Sequence, residues 1–206
     1  MNELAKQDPD LIINMSASPF AYRKTGDKAE IFKNKARKHK LPLITINQTG
    51  ANSELIFDGA SKIINRNGEI IRQLPFFEEV VETFTVEEIM EGIVKQEAEY
   101  KDPIELIHKA LITGIRDYFR KSGLTDCIIG LSGGIDSAVC LCLAVDALGK
   151  EHVRALLMPS RYSSESSVTD AVKLAEGLDV KYDIISIKKQ LRAFEDEISP
   201  LFTGRQ

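Results

Sequence analysis

An α/β fold is predicted for this chain, with a parallel sheet in its second half. From residue 127 onward, short apolar segments of strand length alternate with longer amphipathic segments of helix length, which is the pattern of strands joined by crossover helices. Before residue 81 the apolar segments are short, β-branched and separated by turn residues, as in a strand-rich domain. The composition is that of a globular protein, since 43% of the 206 residues are hydrophobic and 28% are charged.

The first half is predicted to be the strand-rich end of an α/β domain. Residues 11–17 and 42–48 are apolar and partly β-branched, and each segment predicts a buried strand. The charged segment between them, residues 27–40, predicts a surface helix. Two strand-like runs follow. Asn67-Gly68 predicts a hairpin with a type I′ turn, because that turn needs positive φ at both central residues.

The middle of the chain is predicted to join two domains. Residues 83–102 are acidic and only weakly helical in character. Residues 103–121 carry apolar side chains every three or four positions, which predicts an amphipathic helix that stops at Gly123. We therefore expect one domain at residues 1–82, a connection at 83–102 and a second domain at 103–206.

The second half is predicted to alternate between strands and helices. Three strands separated by two helices favour a parallel sheet, because right-handed crossovers bring each helix back onto the sheet. The predicted strands are residues 127–132, 153–159 and 180–186, and the predicted helices are residues 135–148 and 166–177.

Charge and apolar content argue against several function classes. The net charge of −4 is unfavourable for nucleic-acid binding, which needs a clustered basic surface. No apolar run approaches the ~20 residues that cross a bilayer, and the polar N-terminus lacks the apolar core of a signal peptide. We therefore expect a cytoplasmic protein with no nucleic-acid or membrane partner. Three cysteines are too few for a disulfide framework, and we expect them to be small buried side chains: Cys127, Cys140 and Cys142.

One glycine-rich segment has the chemistry of an anion site. It lies where the first strand of the predicted parallel sheet meets its helix, at the edge where such sheets bind ligands. Glycines let backbone N–H groups approach an anion, serine hydroxyls add donors, and the helix N-terminus adds a partial positive charge. Asp136 is compatible with phosphate if it holds Mg²⁺, or else it caps the helix. The segment consists of Gly130, Leu131, Ser132, Gly133, Gly134, Ile135, Asp136 and Ser137.

This segment is not a Walker A motif, because no lysine follows its glycines. Its string SGGIDS, at residues 132–137, resembles the pyrophosphate loop of the N-type ATP pyrophosphatases. That superfamily includes NAD, GMP and asparagine synthetases, and its members cleave ATP between the α and β phosphates. The resemblance implies ATP contacts along residues 130–137 and a Mg²⁺ ligand at Asp136. The alternative is a glycine-rich turn followed by a capped helix.

Two flanking regions narrow the resemblance. Residues 157–167, LMPSRYSSESS, are similar to a segment of glutamine-dependent NAD synthetases. Residues 16–59 contain SASPF, NQTG and FDG, which resemble the closing part of a nitrilase-type glutaminase. The resemblance implies the end of a nitrilase-like sandwich followed by the start of a Rossmann-like ATP pyrophosphatase domain. It also implies that Ser18 and Lys24 bind glutamine, whose carbonyl and carboxylate oxygens suit a hydroxyl and an ammonium group.

The resemblance implies ATP-dependent amidation of deamido-NAD to NAD with ammonia from glutamine, through an adenylate that releases AMP after pyrophosphate. ATP and Mg²⁺ would be required, and a homo-oligomer is expected. The Glu–Lys–Cys triad of nitrilase-type glutaminases is expected upstream, because no cysteine precedes SASPF. We therefore expect a piece of a longer enzyme that lacks glutaminase activity by itself. Two alternatives stay open: another adenylating amidotransferase, such as a GMP synthetase, and a non-catalytic nucleotide-binding module.

Overall fold

The computed structural model describes residues 2–22, 25–92 and 102–202. The chain divides into an N-terminal unit, Met1–Tyr118, and a C-terminal unit, Phe119–Gln206, and the division falls inside a long helix. The boundary between the two compact units therefore lies later in the chain than the predicted connection at residues 83–102. The predicted domain limits stay a prediction. None of the described helices combines the length and the apolar character needed to span a membrane.

The N-terminal unit contains six strands and four helices among the described residues. The strands are β1 (Ile12–Ser16), β2 (Leu43–Asn47), β3 (Thr49–Asn52), β4 (Leu55–Asp58), β5 (Lys62–Ile64) and β6 (Ile70–Gln73). The helices are α1 (Asn2–Ala5), α2 (Thr25–His39), α3 (Val86–Glu91) and α4 (Pro103–Ser122), of which α4 extends past the unit boundary.

Four of these strands form one sheet in the order β1-β2-β5-β6. Strands β1 and β2 are parallel, and the remaining pairs are antiparallel. One core cluster consists of Ile12, Leu43 and Ile64 from the sheet together with Ala36 of α2, and all four are buried. The predicted strands at 11–17 and 42–48 and the predicted helix at 27–40 are thereby confirmed. Strands β3 and β4 form a separate two-stranded hairpin.

The turn between β5 and β6 corrects one expectation. The hairpin is present, but Asn67 does not have the positive φ of a type I′ turn, and only Gly68 does, at +78°. Gly68 N–H donates to Asn65 O at 2.9 Å, and Asn65 N–H donates to Glu69 O at 2.9 Å. This is a type I turn followed by a glycine bulge. The Asn65 side chain explains the choice, because its Oδ1 accepts from the N–H groups of Asn67 and Glu69.

The predicted connection contains one short helix among its described residues. Helix α3 begins after a capping box, in which Thr85 and Glu88 each accept a backbone N–H from the other. It ends at Gly92, whose φ is +70°. Helix α4 confirms the predicted amphipathic helix, and Gly123 follows it with φ +67°.

The C-terminal unit is a three-stranded parallel sheet in the order β7-β8-β9. Its core joins one face of this sheet to two helices, and Leu141, Ala155 and Ala175 in it are fully buried. The predicted alternation is confirmed, although each strand ends two residues before its predicted end, and the last helix was not predicted. The elements are β7 (Cys127–Gly130), α5 (Ile135–Leu148), β8 (Val153–Leu157), α6 (Glu165–Gly177), β9 (Lys181–Ile184) and α7 (Lys188–Ile198), with 3₁₀ turns at Lys150–His152 and Ser199–Phe202.

Candidate functional site

The glycine-rich loop, residues 130–137, begins at the carboxyl end of β7 and runs into the first turn of α5. Leu131 anchors it, because its side chain is buried in the core and its N–H donates to Leu156 O at 2.9 Å. Gly133 has φ +81°, and a Cβ there would lie 2.2 Å from Ser167 O. Only glycine lets the loop pass this close to α6.

Two serines close the loop on itself. Ser132 N–H donates to Ser137 Oγ at 3.2 Å, and the two hydroxyl oxygens lie 3.0 Å apart. Ser137 Oγ donates to Gly134 O at 3.0 Å, while Gly134 N–H donates to Ser132 Oγ at 3.3 Å. The loop conformation is therefore set by its own hydroxyl groups before any ligand binds.

The start of α5 leaves backbone donors available. Gly134 is the N-cap and supplies no side-chain acceptor, and Ala138 N–H bonds back to Gly134 O at 3.1 Å. The N–H groups of residues 135–137 precede that bond and have no acceptor within the helix. Three such donors at the positive end of a 14-residue helix form an environment that favours phosphate oxygens.

A cleft of about 200 Å³ opens beside the loop. Its lining combines apolar side chains with serine hydroxyls, which suits a ligand with an apolar and a charged part. The cleft lies at the carboxyl ends of β7 and β8, where parallel sheets bind ligands. It is lined by Gly130, Leu131, Ser132, Leu156, Leu157, Met158, Pro159, Ser163, Ser167 and Val168.

The serine-rich segment that follows β8 shapes the far wall. Ser164 caps α6 by accepting Ser167 N–H at 3.1 Å, as expected of serines before a helix. Ser160 N–H donates to Ser163 Oγ at 3.0 Å. Sequence reasoning missed a link to α7, in which Arg161 donates to Glu195 at 2.7 Å. No local signal could reveal it, because the partners lie 34 positions apart in the chain.

Asp136 lies in the first turn of α5 and is exposed. Within the described residues no group of three or more histidine, cysteine, aspartate or glutamate side chains could hold a metal ion. A single carboxylate nevertheless fits Mg²⁺ at a nucleotide site, because that ion is commonly bound by one or two carboxylates together with substrate phosphates and water. The donor chemistry at Asp136 is therefore compatible with the expected ion.

The cysteines are less buried than expected. Cys127 and Cys142 are partly exposed, and Cys140 is exposed on α5. Burial raises the pKa of the Cys127 thiol above its ordinary value, and the negative charge of Asp126 raises it by a smaller amount. The expectation of a buried side chain is wrong for Cys140, which lies at the surface of α5.

A second polar group lies in the N-terminal unit, and we call it the Asn47 cluster: Ser16, Ser18, Asn47, Asp58 and Ser61. The Asn47 side chain accepts Ser18 N–H at 2.8 Å and donates to Ser18 O at 3.2 Å. It also donates to Asp58 Oδ1 at 2.8 Å. Of the two residues expected to bind glutamine, Ser18 is therefore placed in this cluster, whereas Lys24 lies outside the described residues.

Burial dominates the electrostatics around Asp58. It raises the pKa of the Asp58 carboxyl, against the opposing charges of Lys28 and Lys62 and the bond from Asn47. Burial likewise lowers the pKa of Lys62, whose Nζ donates to Ala60 O at 2.8 Å. Both shifts run opposite to those of a strong ion pair, so desolvation outweighs charge pairing here.

Known families and proteins resemble this chain in sequence. The NAD synthase family model matches residues 107–203. The glutamine-dependent NAD(+) synthetase of Synechocystis sp. is 37% identical over 202 residues, which are 97% of this chain and 36% of that protein. The glutamine-dependent NAD(+) synthetase of Thermotoga maritima is 32% identical, over 95% of this chain and 40% of that protein.

Solved structures give the same result. The structure of the glutamine-dependent NAD+ synthetase from Acinetobacter baumannii in complex with ADP is 33% identical, with a TM-score of 0.92, and the match covers all of this chain and 39% of that one. The enzyme of the same name from Cytophaga hutchinsonii, at 16% identity and a TM-score of 0.82, shares the fold. The chain is a homologue of the glutamine-dependent NAD(+) synthetases and spans between a third and two fifths of their length.

Proposed function

We propose that this chain is the part of a glutamine-dependent NAD(+) synthetase that links the end of a nitrilase-like glutaminase domain to the start of an ATP pyrophosphatase domain. The glycine-rich loop carries the proposal, because it places unpaired helix N–H groups at the carboxyl ends of parallel strands within the segment that matches NAD synthases. In this proposal, residues 1–82 belong to the glutaminase, 83–102 connect the domains and 103–206 begin the synthetase. A cytoplasmic homo-oligomer is part of the same proposal.

The first step is adenylation of deamido-NAD. Its nicotinate carboxylate oxygen attacks the α-phosphorus of ATP, the bond to the bridging oxygen breaks, and pyrophosphate leaves with the electron pair. The N–H groups of residues 135–137 hydrogen-bond the phosphate oxygens on which negative charge accumulates. Because Ser132 and Ser137 already fix the loop, little reorganisation accompanies this step. Asp136 would hold Mg²⁺, which when bound neutralises part of the pyrophosphate charge.

The second step forms the amide. Ammonia attacks the activated carbonyl carbon, the bond from that carbon to the AMP oxygen breaks, and the nitrogen loses a proton to give NAD and AMP. In the proposal the ammonia comes from glutamine, which Ser18 and Lys24 bind in the other domain. The Ser18 hydroxyl and the Lys24 ammonium would contact oxygens of glutamine.

The test is ATP–pyrophosphate exchange by the full-length gene product with Mg²⁺ and deamido-NAD. We expect exchange to require deamido-NAD and to fall about 100-fold in Asp136→Ala, the equivalent of about 2.7 kcal/mol of lost transition-state stabilisation. Asp196→Ala is the matched control, because Asp196 is an exposed acidic residue on α7. This control should exchange at the wild-type rate.

Other outcomes would select another function. Exchange driven by a purine nucleotide instead of deamido-NAD would retain the adenylation chemistry and favour a GMP synthetase-like enzyme. Measurable ATP binding without exchange for any acceptor would favour a non-catalytic nucleotide-binding module.

A further inference from the structure

The Asn47 side chain extends the pairing of β1 and β2 beyond the last residues of both strands. Ser16 and Asn47 are register partners at the ends of these strands, and Gln48 N–H donates to Ser16 O at 2.9 Å. One step further along, the Asn47 amide takes the place of a backbone, since it binds both the N–H and the C=O of Ser18. Ser18 is therefore held like a strand residue although it lies outside the strand.

The Asn47 amide can adopt only one orientation. Its Oδ1 accepts from Ser18 N–H and from Ser16 Oγ at 3.1 Å, and its Nδ2 donates to Ser18 O and to Asp58 Oδ1. These four bonds use the whole hydrogen-bonding capacity of the amide, and a flipped amide would place Oδ1 against two other acceptors. The Asn47 N–H is also bound, to Ser61 Oγ at 3.0 Å.

The two residues after Ser18 are held by further contacts. Lys28 Nζ donates to Pro19 O at 2.9 Å, and Phe20 N–H donates to Ile56 O at 2.7 Å. The Phe20 ring packs edge-on against Phe77 with ring centroids 5.4 Å apart. The backbone of residues 18–20 is thus fixed by side-chain and backbone bonds from several elements.

The Ser18 hydroxyl takes no part in this network. Across residues 2–22, 25–92 and 102–202 it has no hydrogen-bond partner, although both backbone groups of Ser18 are bound. The side chain is half-buried, so solvent reaches it only in part. A hydroxyl group that is fixed in position yet unpaired is suited to bind a ligand atom without further ordering.

We infer that Asn47 is a positioning residue for glutamine: its amide fixes the Ser18 backbone so that the Ser18 hydroxyl is presented to the substrate, and Asp58 fixes the amide in turn. This inference rests on the proposed function, since it assumes that Ser18 contacts glutamine. Asn47 acts through Ser18 and does not touch the reacting atoms. Its loss should therefore weaken glutamine binding and leave the chemistry of the ATP site unchanged.

The test compares Asn47→Ala with the wild-type full-length gene product. The KM for glutamine in NAD formation should rise about tenfold or more. Without the Asn47 amide, part of the binding free energy of glutamine is used to order residues 16–18. The deamido-NAD-dependent ATP–pyrophosphate exchange rate should stay within twofold of wild type. Asn52→Ala, which removes an exposed asparagine from β3, is the matched control and should change neither quantity.

A second pair of variants guards against simple misfolding. Asn47→Asp places a carboxylate beside Asp58, where the present separation of the bonded atoms is 2.8 Å, and should raise the KM further. Adding Asp58→Asn to it restores one amide and one carboxylate, which should recover part of the KM. Partial recovery supports a bond between these two positions, since unrelated sites would combine additively.

Each outcome has a distinct meaning. A wild-type protein that uses no glutamine for NAD formation would overturn the proposed function and the inference with it. An unchanged KM in Asn47→Ala, beside an active wild type, would overturn the inference alone. Exchange that falls in parallel with glutamine use, at an unchanged KM, would assign Asn47 a merely structural role and overturn it too.

Discussion

The glycine-rich loop and the Asn47 cluster organise polar groups by opposite means. The loop is eight consecutive residues whose hydroxyl bonds span at most five positions, and it offers backbone N–H groups at an exposed surface. The Asn47 cluster joins residues that lie 11 to 31 positions apart, through the side-chain amide and the backbone N–H of Asn47. The loop depends on the absence of a side chain at Gly133, whereas the cluster depends on the presence of one at Asn47. Substitutions should therefore affect the two regions in different ways.

Gly133→Ala should have the largest effect of the single substitutions in the loop. The new Cβ would lie 2.2 Å from Ser167 O at φ +81°, so the loop or α6 must move. We expect ATP–pyrophosphate exchange to fall about 100-fold or more, and the free energy of unfolding to fall by about 3 kcal/mol. Exchange assays and urea denaturation of the full-length protein measure both effects.

Gly134→Ala is the matched control for that substitution. Gly134 has φ −87°, and its nearest contact for an added Cβ is Ser132 Oγ at 3.5 Å, an ordinary separation. The free energy of unfolding should stay within about 1 kcal/mol of wild type. Equal losses in the two alanine variants would show that close packing against α6 does not explain the glycine at 133.

The contrast between the regions also explains what the sequence could predict. The loop could be recognised because its residues are contiguous and stand between a strand and a helix with clear periodicity. The bonds between the Asn47 amide and the Ser18 backbone could not be recognised, because these two residues lie 29 positions apart in the sequence. Helix α7 was missed although Leu191, Phe194 and Ile198 have helical spacing, and β3 was missed because TGAN contains no strand-forming run. Contacts distant in sequence leave no local pattern.

Asp117 resembles Asn47, because its side chain also binds a backbone group that is distant in the sequence. This residue is 8% exposed on α4, and its Oδ2 accepts Ala51 N–H at 2.7 Å, across 66 positions of the chain. Asp117→Ala removes that acceptor and should lower the free energy of unfolding by about 2 kcal/mol. Asp117→Asn keeps an acceptor oxygen and should lower it less, as measured by urea denaturation. Equal losses would mean that charge, and not the hydrogen bond, stabilises this contact.

The smallest expected effect concerns Asp58 and its pH dependence. Because burial raises the pKa of this carboxyl in the folded protein, folding favours its protonated form. The stability that this preference contributes is complete below the ordinary aspartate pKa and is lost as pH rises through the raised folded value. Asp58→Asn cannot ionise, so its free energy of unfolding relative to wild type should be lowest in acid and should increase towards neutral pH. The change should be smaller than that of Asp117→Ala.

Urea denaturation of both proteins from pH 3 to pH 8 measures this difference, and titrating groups that do not interact with residue 58 cancel in the comparison. In the opposite trend, the free energy of unfolding of wild type would increase relative to that of Asp58→Asn as pH rises. That result would mean that the charges of Lys28 and Lys62 outweigh burial. The expected trend would show that an ionised Asp58 costs stability in the fold. A carboxylate kept there at a cost to stability, with its Oδ1 bound to the amide that fixes Ser18, is better explained by ligand binding than by folding. The exposed loop offers no such test, since its polar groups are not buried.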